Sequence, residues 1–269
     1  YGPPVRIAAP GGDKSLGEEA GVLQQTLAEG STTEADYRWF QGTSMAAPHV
    51  AGAAALIVSL GVTAPGAVED LLADTARSAP ESNREKYGAG LLDAAAAVRR
   101  ATLWWGLWRL LFAAGGALFA LAHARKMGER GKPGALFWGG LCLGAGALAM
   151  LAPLGAERLP FLSFLALPPA AWPERFLGSG LAGYLGWSAL VPFALALLAR
   201  AAAKPMENGF GALVAGLSFG WAGLLLQAAI WRTADLPFMP PLLMPVWLLG
   251  SAFLAWSAAR GLLAREPLR

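Results

Sequence analysis

The residues best suited to do chemistry lie in one stretch of twelve, Gln41-Gly42-Thr43-Ser44-Met45-Ala46-Ala47-Pro48-His49-Val50-Ala51-Gly52. Two short β-like runs precede it, Val22 to Leu27 and Tyr37 to Phe40, separated by the turn-rich Glu29-Gly30-Ser31-Thr32-Thr33. After it comes Ala53 to Leu60, small and apolar, with no breaker before Gly61. The pattern predicts a hairpin that delivers the chain, through Gly42, onto the N-terminus of a buried helix beginning near Ser44. A hydroxyl there has unpaired backbone N–H groups and the positive end of the helix dipole beside it. Those groups suit a nucleophile whose attack on a carbonyl creates an oxyanion. The same place suits a plain helix cap, for which serine is a favoured residue, and spacing alone leaves both readings open.

The twelve-residue string closely resembles the serine signature of the subtilisin-like serine proteases, the subtilases, in which Gly-Thr-Ser-Met-Ala-x-Pro-His-Val-Ala-Gly carries the catalytic serine. Upstream, Val5-Arg6-Ile7-Ala8-Ala9-Pro10-Gly11 is similar to the family's strand ending in Ala-Pro-Gly. Downstream, Tyr87-Gly88-Ala89-Gly90-Leu91-Leu92-Asp93-Ala94 is similar to the segment that closes the catalytic domain. Between them Pro65 to Ala76 reads as an amphipathic helix, with Val68, Leu71, Leu72 and Thr75 on one face and Thr63 as its candidate N-cap. The resemblance covers the first hundred residues. It implies an α/β fold, part of a subtilisin-like domain with a parallel sheet and helices. It also implies a serine endopeptidase that cleaves protein or peptide substrates through an acyl-enzyme. Ser44 is then the nucleophile and its backbone N–H an oxyanion donor, with Thr43 in support and Phe40 to Gly42 beside the leaving-group side of the cleft. His49 lies in the same helix as the serine and is structural in this signature, because the triad runs in the order Asp, His, Ser. No cofactor is identifiable; the resemblance admits calcium but points to no ligand.

A triad needs a base for the serine proton and a carboxylate to hold that base. None of residues 1–43 is a histidine, and neither Asp13 nor Asp36 sits in the family's Asp-Ser/Thr-Gly context. The asparagine that supplies a side-chain oxyanion donor is absent too. The chain therefore resembles the C-terminal third of a subtilase catalytic domain. Tyr1 shows no initiator Met and no signal-like segment, so the triad Asp and His are expected upstream of it. These residues by themselves are expected to be inactive.

The remainder is of another character. Hydrophobic residues make up 55% of the 269 and charged residues 14%, where a soluble domain carries about 25% charged. Residues 1–100 hold 8 Lys and Arg against 12 Asp and Glu; residues 101–269 hold 13 against 6. The pI of 9.2 thus reflects cations scattered between apolar runs, which excludes a nucleic-acid-binding stripe. One cysteine, Cys142, excludes a disulfide framework and a cysteine-rich zinc site. The domain boundary is placed at Arg99-Arg100, giving domains 1–100 and 101–269.

Residues 134–156, 177–199, 209–231 and 236–259 contain no Asp, Glu, Lys or Arg, and 102–124 contains only Arg109. Each run exceeds the roughly 20 residues that cross a bilayer as a helix, so an all-α bundle of about five transmembrane spans is expected. Arg125, Lys126, Arg130, Lys132, Arg200, Lys204, Arg260, Arg265 and Arg269 would share one face, against Arg99, Arg100, Arg158, Arg175 and Arg232 on the other. That bias puts the C-terminus in the cytoplasm and residues 1–100 outside, on a multi-pass membrane protein whose second partner is the lipid bilayer. Trp104, Trp105 and Trp108 suit the outer interface, and Gly140 with Gly144 and Gly216 with Gly220 suit close helix approach. His123 is interfacial, and nothing local pairs it with Ser188 or Ser218 as an intramembrane protease would require. Arg109 and Gln227 are the notable polar residues within the spans.

Two further classes compete with a membrane-anchored endopeptidase: a non-catalytic membrane scaffold with a degenerate subtilase remnant, and a transporter or sensor with an appended protease domain. A strand such as Val5 to Ala8 needs parallel neighbours. Residues 1–100 expressed alone should therefore show no cooperative thermal transition by circular dichroism.

Overall fold

The computed structural model describes residues 5–80, 83–127, 133–154, 167–178, 182–201, 209–236 and 239–263. It divides into two compact units, one formed by Tyr1–Ile57 with Glu69–Val98, the other by Val58–Val68 with Arg99–Arg269.

In the first unit, β1 (Val22–Leu27) pairs antiparallel with β2 (Ala35–Phe40), in register from Val22 opposite Phe40 to Leu27 opposite Ala35. The hairpin loop turns at Gly30, whose positive φ an L side chain rarely adopts. The expected parallel sheet is not found among the described residues. Parallel pairing there is reduced to a single bridge between Ala8 and Leu91. The reason is a shortage of partners: among the described residues, the backbone bonds of residues 6–8 go to the 88–92 segment.

The chain then enters α1 (Thr43–Ser59), the expected helix, though not a buried one. Only Ala53 and Ile57 are buried along it, while Leu56 is 54% exposed. A Cβ added at Gly52 would meet no atom within 4 Å. The small side chains that suit this helix to close packing thus face open space among the described residues. The predicted amphipathic helix is α2 (Pro65–Asp74), and it buries Val68, Leu71 and Leu72. Short α3 (Arg84–Tyr87) is capped by Asn83, and α4 (Ala94–Arg99) by Asp93, whose Oδ1 accepts from the Ala96 N–H at 2.8 Å.

The second unit is helical. A π-turn, Arg100–Trp104, joins α4 without a break to α5 (Trp105–Lys126). Then come α6 (Ala135–Gly144), a 3-10 stretch (Ala147–Leu154), α7 (Trp172–Leu177), α8 (Ala182–Gly186), α9 (Leu190–Ala201), α10 (Gly209–Trp231) and α11 (Met244–Leu263). Among the described residues three helices are long and apolar enough to cross a membrane, Ala94–Lys126, Gly209–Trp231 and Met244–Leu263. Five unbroken spans are not found among the described residues. Gly146, at φ +68°, stops the run expected over 134–156 after α6. The run over 177–199 is split between α8 and α9. The last starts at Met244, after Pro240 and Pro241.

Helix α10 is the centre of this unit, with every residue from Gly211 to Ala229 buried except half-buried Leu213 and Leu226. The glycine pairs act as the sequence suggests. A Cβ on Gly216 would lie 1.9 Å from the Phe137 carbonyl oxygen, and one on Gly220 2.3 Å from that of Leu141. Facing them, a Cβ on Gly140 or Gly144 would strike the Leu213 or Leu217 carbonyl. Helices α6 and α10 thus touch backbone to backbone, a contact only glycine permits.

The interruption between α8 and α9 frees backbone groups that must find other partners once buried. Ser188 spans it, its hydroxyl donating to the Leu185 carbonyl at 3.2 Å and accepting from the Leu190 N–H at 3.2 Å. The Gly186 carbonyl accepts from the Trp221 indole of α10 at 3.0 Å, and the Trp187 carbonyl from the Trp247 indole of α11 at 2.8 Å. Ser188 is thus occupied in closing a helix break. The two polar residues noted in the apolar runs also meet: buried Arg109 Nε donates to buried Gln227 Oε1 at 2.9 Å, joining α5 to α10. Trp221→Phe leaves the Gly186 carbonyl without its donor and trims a fully buried ring. It should lower stability by about 2 kcal/mol or more, from the lost bond and the cavity together, seen as a lower thermal midpoint in detergent.

Candidate active site

Everything that positions Ser44 comes from the hairpin and the turn after it. β2 ends at Phe40, and Gly42, at φ +139°, swings the chain into α1 in a conformation that side chains resist. The Gly42 carbonyl accepts from the Met45 N–H at 3.0 Å and from the Ala46 N–H at 3.3 Å, so Gly42 caps the helix in place of Ser44. The Ser44 hydroxyl is therefore not used in capping. Among the described residues it has no hydrogen-bond partner, and neither do the amide N–H groups of Thr43 and Ser44. Both residues are exposed.

Two contacts hold this turn from behind. Gly42 N–H donates to the Gly11 carbonyl at 2.8 Å, and a Cβ on Gly11 would lie 2.7 Å from the Gly42 oxygen. The Ala-Pro-Gly segment is thus the floor on which the serine turn rests. Gln41 Oε1 accepts from the Lys14 N–H, tying the turn to the 3-10 segment Lys14–Leu16. Lys14 also donates its ammonium to the Trp39 carbonyl at 3.2 Å. Alongside lies an open groove of about 600 Å³, lined by Lys14, Glu18 and Tyr37 to Gln41, which ends at the residue before Gly42. Neither Lys14 nor the Gly11–Gly42 contact is evident from sequence reasoning. The one signal for them is Ala9-Pro10-Gly11, which reads as a family landmark.

Within α1, Pro48 has no N–H, so the Ser44 carbonyl lacks the helical partner that other residues at this depth possess. His49 Nδ1 donates to the Met45 carbonyl at 2.9 Å, one turn back in its own helix. That bond gives His49 a local structural role. The two upstream carboxylates are engaged elsewhere. Asp13 accepts from Ser15 Oγ at 2.5 Å and Ser15 N–H at 3.1 Å, which holds its carboxyl below the usual range. Asp36 accepts from Arg38 Nε at 2.8 Å and Tyr37 N–H at 2.8 Å, with the same effect led by the Arg38 bond. The structure thus leaves Thr43 and Ser44 with their amide N–H groups at the turn, and no base or carboxylate joins them among the described residues. Nor, among these residues, do three His, Cys, Asp or Glu side chains converge as metal ligands.

A strand-to-helix turn thus bares Ser44 beside amides that are unpaired among the described residues. Residues 1–90 match the model of the subtilase family, Peptidase S8. Over 105 residues the chain is 42% identical to a protein named "Extracellular protease" from Xanthomonas campestris pv. campestris. That alignment covers 38% of this chain and 17% of the relative, so the chain spans only a minor part of the relative's length. No solved structure matches. Residues 1–90 are thus similar to a family of peptidases.

Gly11→Ala places its methyl against the Gly42 backbone, so the serine turn must shift. In the full-length protein the variant should keep its far-ultraviolet circular dichroism but lose about tenfold or more in the labelling rate of Ser44 by a fluorophosphonate.

Proposed function

We propose that this chain belongs to a membrane-anchored serine endopeptidase acting outside the cytoplasm, with Ser44 as nucleophile. Attack of Ser44 Oγ on a peptide carbonyl places the oxyanion beside the Ser44 N–H, with Thr43 next to it. The amine leaves after taking a proton from the base, and water then releases the acyl group. The Asp and His of the triad, and the asparagine donor, come from chain outside these 269 residues; in their absence Ser44 hydrolyses nothing. The observation that carries this reading is that, among the described residues, the Gly42 turn leaves the Ser44 hydroxyl and two amides unoccupied within a full serine signature.

The domain division at residue 100 and the remaining spans belong to the same proposal. Segments 135–154 and 182–201 complete the passage as broken helices, giving about five crossings with the C-terminus in the cytoplasm. Supporting this, Gly140 meets α10 near its start while Met150 lies against Gly106 near the start of α5. The scaffold alternative draws on one observation, the engagement of His49, Asp13 and Asp36 in local bonds.

Ser44→Ala in the full-length protein should abolish peptide hydrolysis and fluorophosphonate labelling while leaving membrane insertion and thermal midpoint unchanged. Undiminished cleavage by that variant would exclude Ser44 as nucleophile.

A further inference from the structure

Arg109 lies between α5 and α10 and is only 3% exposed. Its Nε is bonded to Gln227 Oε1, but its two terminal amino groups have no hydrogen bond among the described residues. No carboxylate pairs with it among these residues either. The acid beyond this end of α10, Asp235, is exposed, and its N–H donates to the Thr63 hydroxyl at 2.7 Å. A buried cation with no counter-charge is strongly unfavourable. The unfilled groups beside it are donors as well. Gln227 is 0% exposed, and its Nε2 has no partner among the described residues. Trp108 Nε1, next to Arg109 in α5, is likewise buried without one. The Trp108 ring lies 5.5 Å from that of Trp231, one turn beyond Gln227 in α10, so the three side chains share one seam. Trp108 as a whole is half-buried, which puts the group near the surface of the unit.

A set of donors with no acceptor left over calls for an oxyanion. With Nε occupied, a guanidinium still presents both terminal amino groups, the edge that takes two oxygens of one anion side by side. Depth narrows the choice of anion. Gln227 stands four residues before Trp231, where α10 ends, and exposed Arg232 follows. The Arg109–Gln227 pair is therefore about 6 Å in from the end of an apolar helix. Trp104, 49% exposed, and Trp105 precede Arg109 by roughly one turn, as rings at a membrane interface do. In a bilayer, phosphate groups lie at that level. We propose that Arg109, Gln227 and Trp108 form a binding site for a phosphate group, carried by a phospholipid or free in solution. The lipid source rests on the reading of the helical unit as membrane-spanning; the donor set does not.

The test uses the full-length protein, stripped of lipid in detergent, and follows its thermal midpoint as a probe is titrated. The probes are phosphatidylglycerol in mixed micelles, diacylglycerol with the same acyl chains, and inorganic phosphate. In the wild type the midpoint should rise to saturation with a phosphate probe and stay flat with diacylglycerol. Gln227→Glu gives Arg109 a carboxylate of its own. It should raise the midpoint of the unliganded protein and weaken phosphate binding by about tenfold or more, the scale of a lost charge-assisted bond. Arg109→Gln should weaken binding as much; where it fails to fold, Gln227→Glu carries the comparison. A response to phosphatidylglycerol alone identifies a lipid headgroup, and an equal response to inorganic phosphate identifies the free ion; both uphold the site. An equal response to diacylglycerol overturns it, as does no response to either phosphate probe or unchanged affinity in Gln227→Glu. Alkaline carbonate extraction of membranes tests the membrane reading separately. Protein released into the supernatant overturns that reading and the lipid source with it, and inorganic phosphate alone then decides the site.

Discussion

The helical unit depends on how closely two backbones approach. Between apolar helices packed this tightly, the distance of approach sets the van der Waals gain. Gly140 and Gly144 on α6 fit against Gly216 and Gly220 on α10, with each carbonyl where a methyl would otherwise stand. Further along the same face of α10, α5 closes on it through Gly223, whose added Cβ would meet the Arg109 carbonyl at 2.6 Å. Each glycine sacrifices helix propensity for van der Waals contact along a whole face. The same absence of side chains recurs at the serine turn, where Gly11 and Gly42 meet.

Polar atoms in the unit follow from that closeness. A packed bundle has no room for water to repair a helix break, so the repair is made by side chains from neighbouring helices. Tryptophan is well suited to the task, a large apolar ring with a single donor and no acceptor to leave stranded. Trp221, Trp247 and Trp256 each deliver that donor to a carbonyl on another segment, the last to Gly116 at 3.1 Å. Arg109 and Gln227 add a charge-assisted bond between α5 and α10, near the ring contacts of Trp108 with Trp231.

What is legible in the sequence divides along the same line. The hairpin, the turn at Gly42 and the helix from residue 43 can be read because turn residues and alternation are local signals. The α2 face and the small-residue pairs can be read for the same reason. The failures are long-range. The Ala and Gly content of α1 suggests burial, but composition shows only what a helix can tolerate as a neighbour, not whether one is there. Apolar runs give the lengths of the spans without their breaks, because Gly146 and the Trp187 to Ala189 interruption carry no charge. Thr63 reads as a cap by its distance from Pro65, whereas its partner lies 172 residues away.

The indole bonds also bear on how the chain is made. The carbonyls of Gly186 and Trp187 are released by the break long before their donors exist, since Trp221 follows Gly186 by 35 residues and Trp247 follows Trp187 by 60. During synthesis the split segment cannot gain these side-chain donors until α10 and then α11 emerge from the ribosome. Order of translation, as much as local sequence, thereby governs when this part of the unit can close.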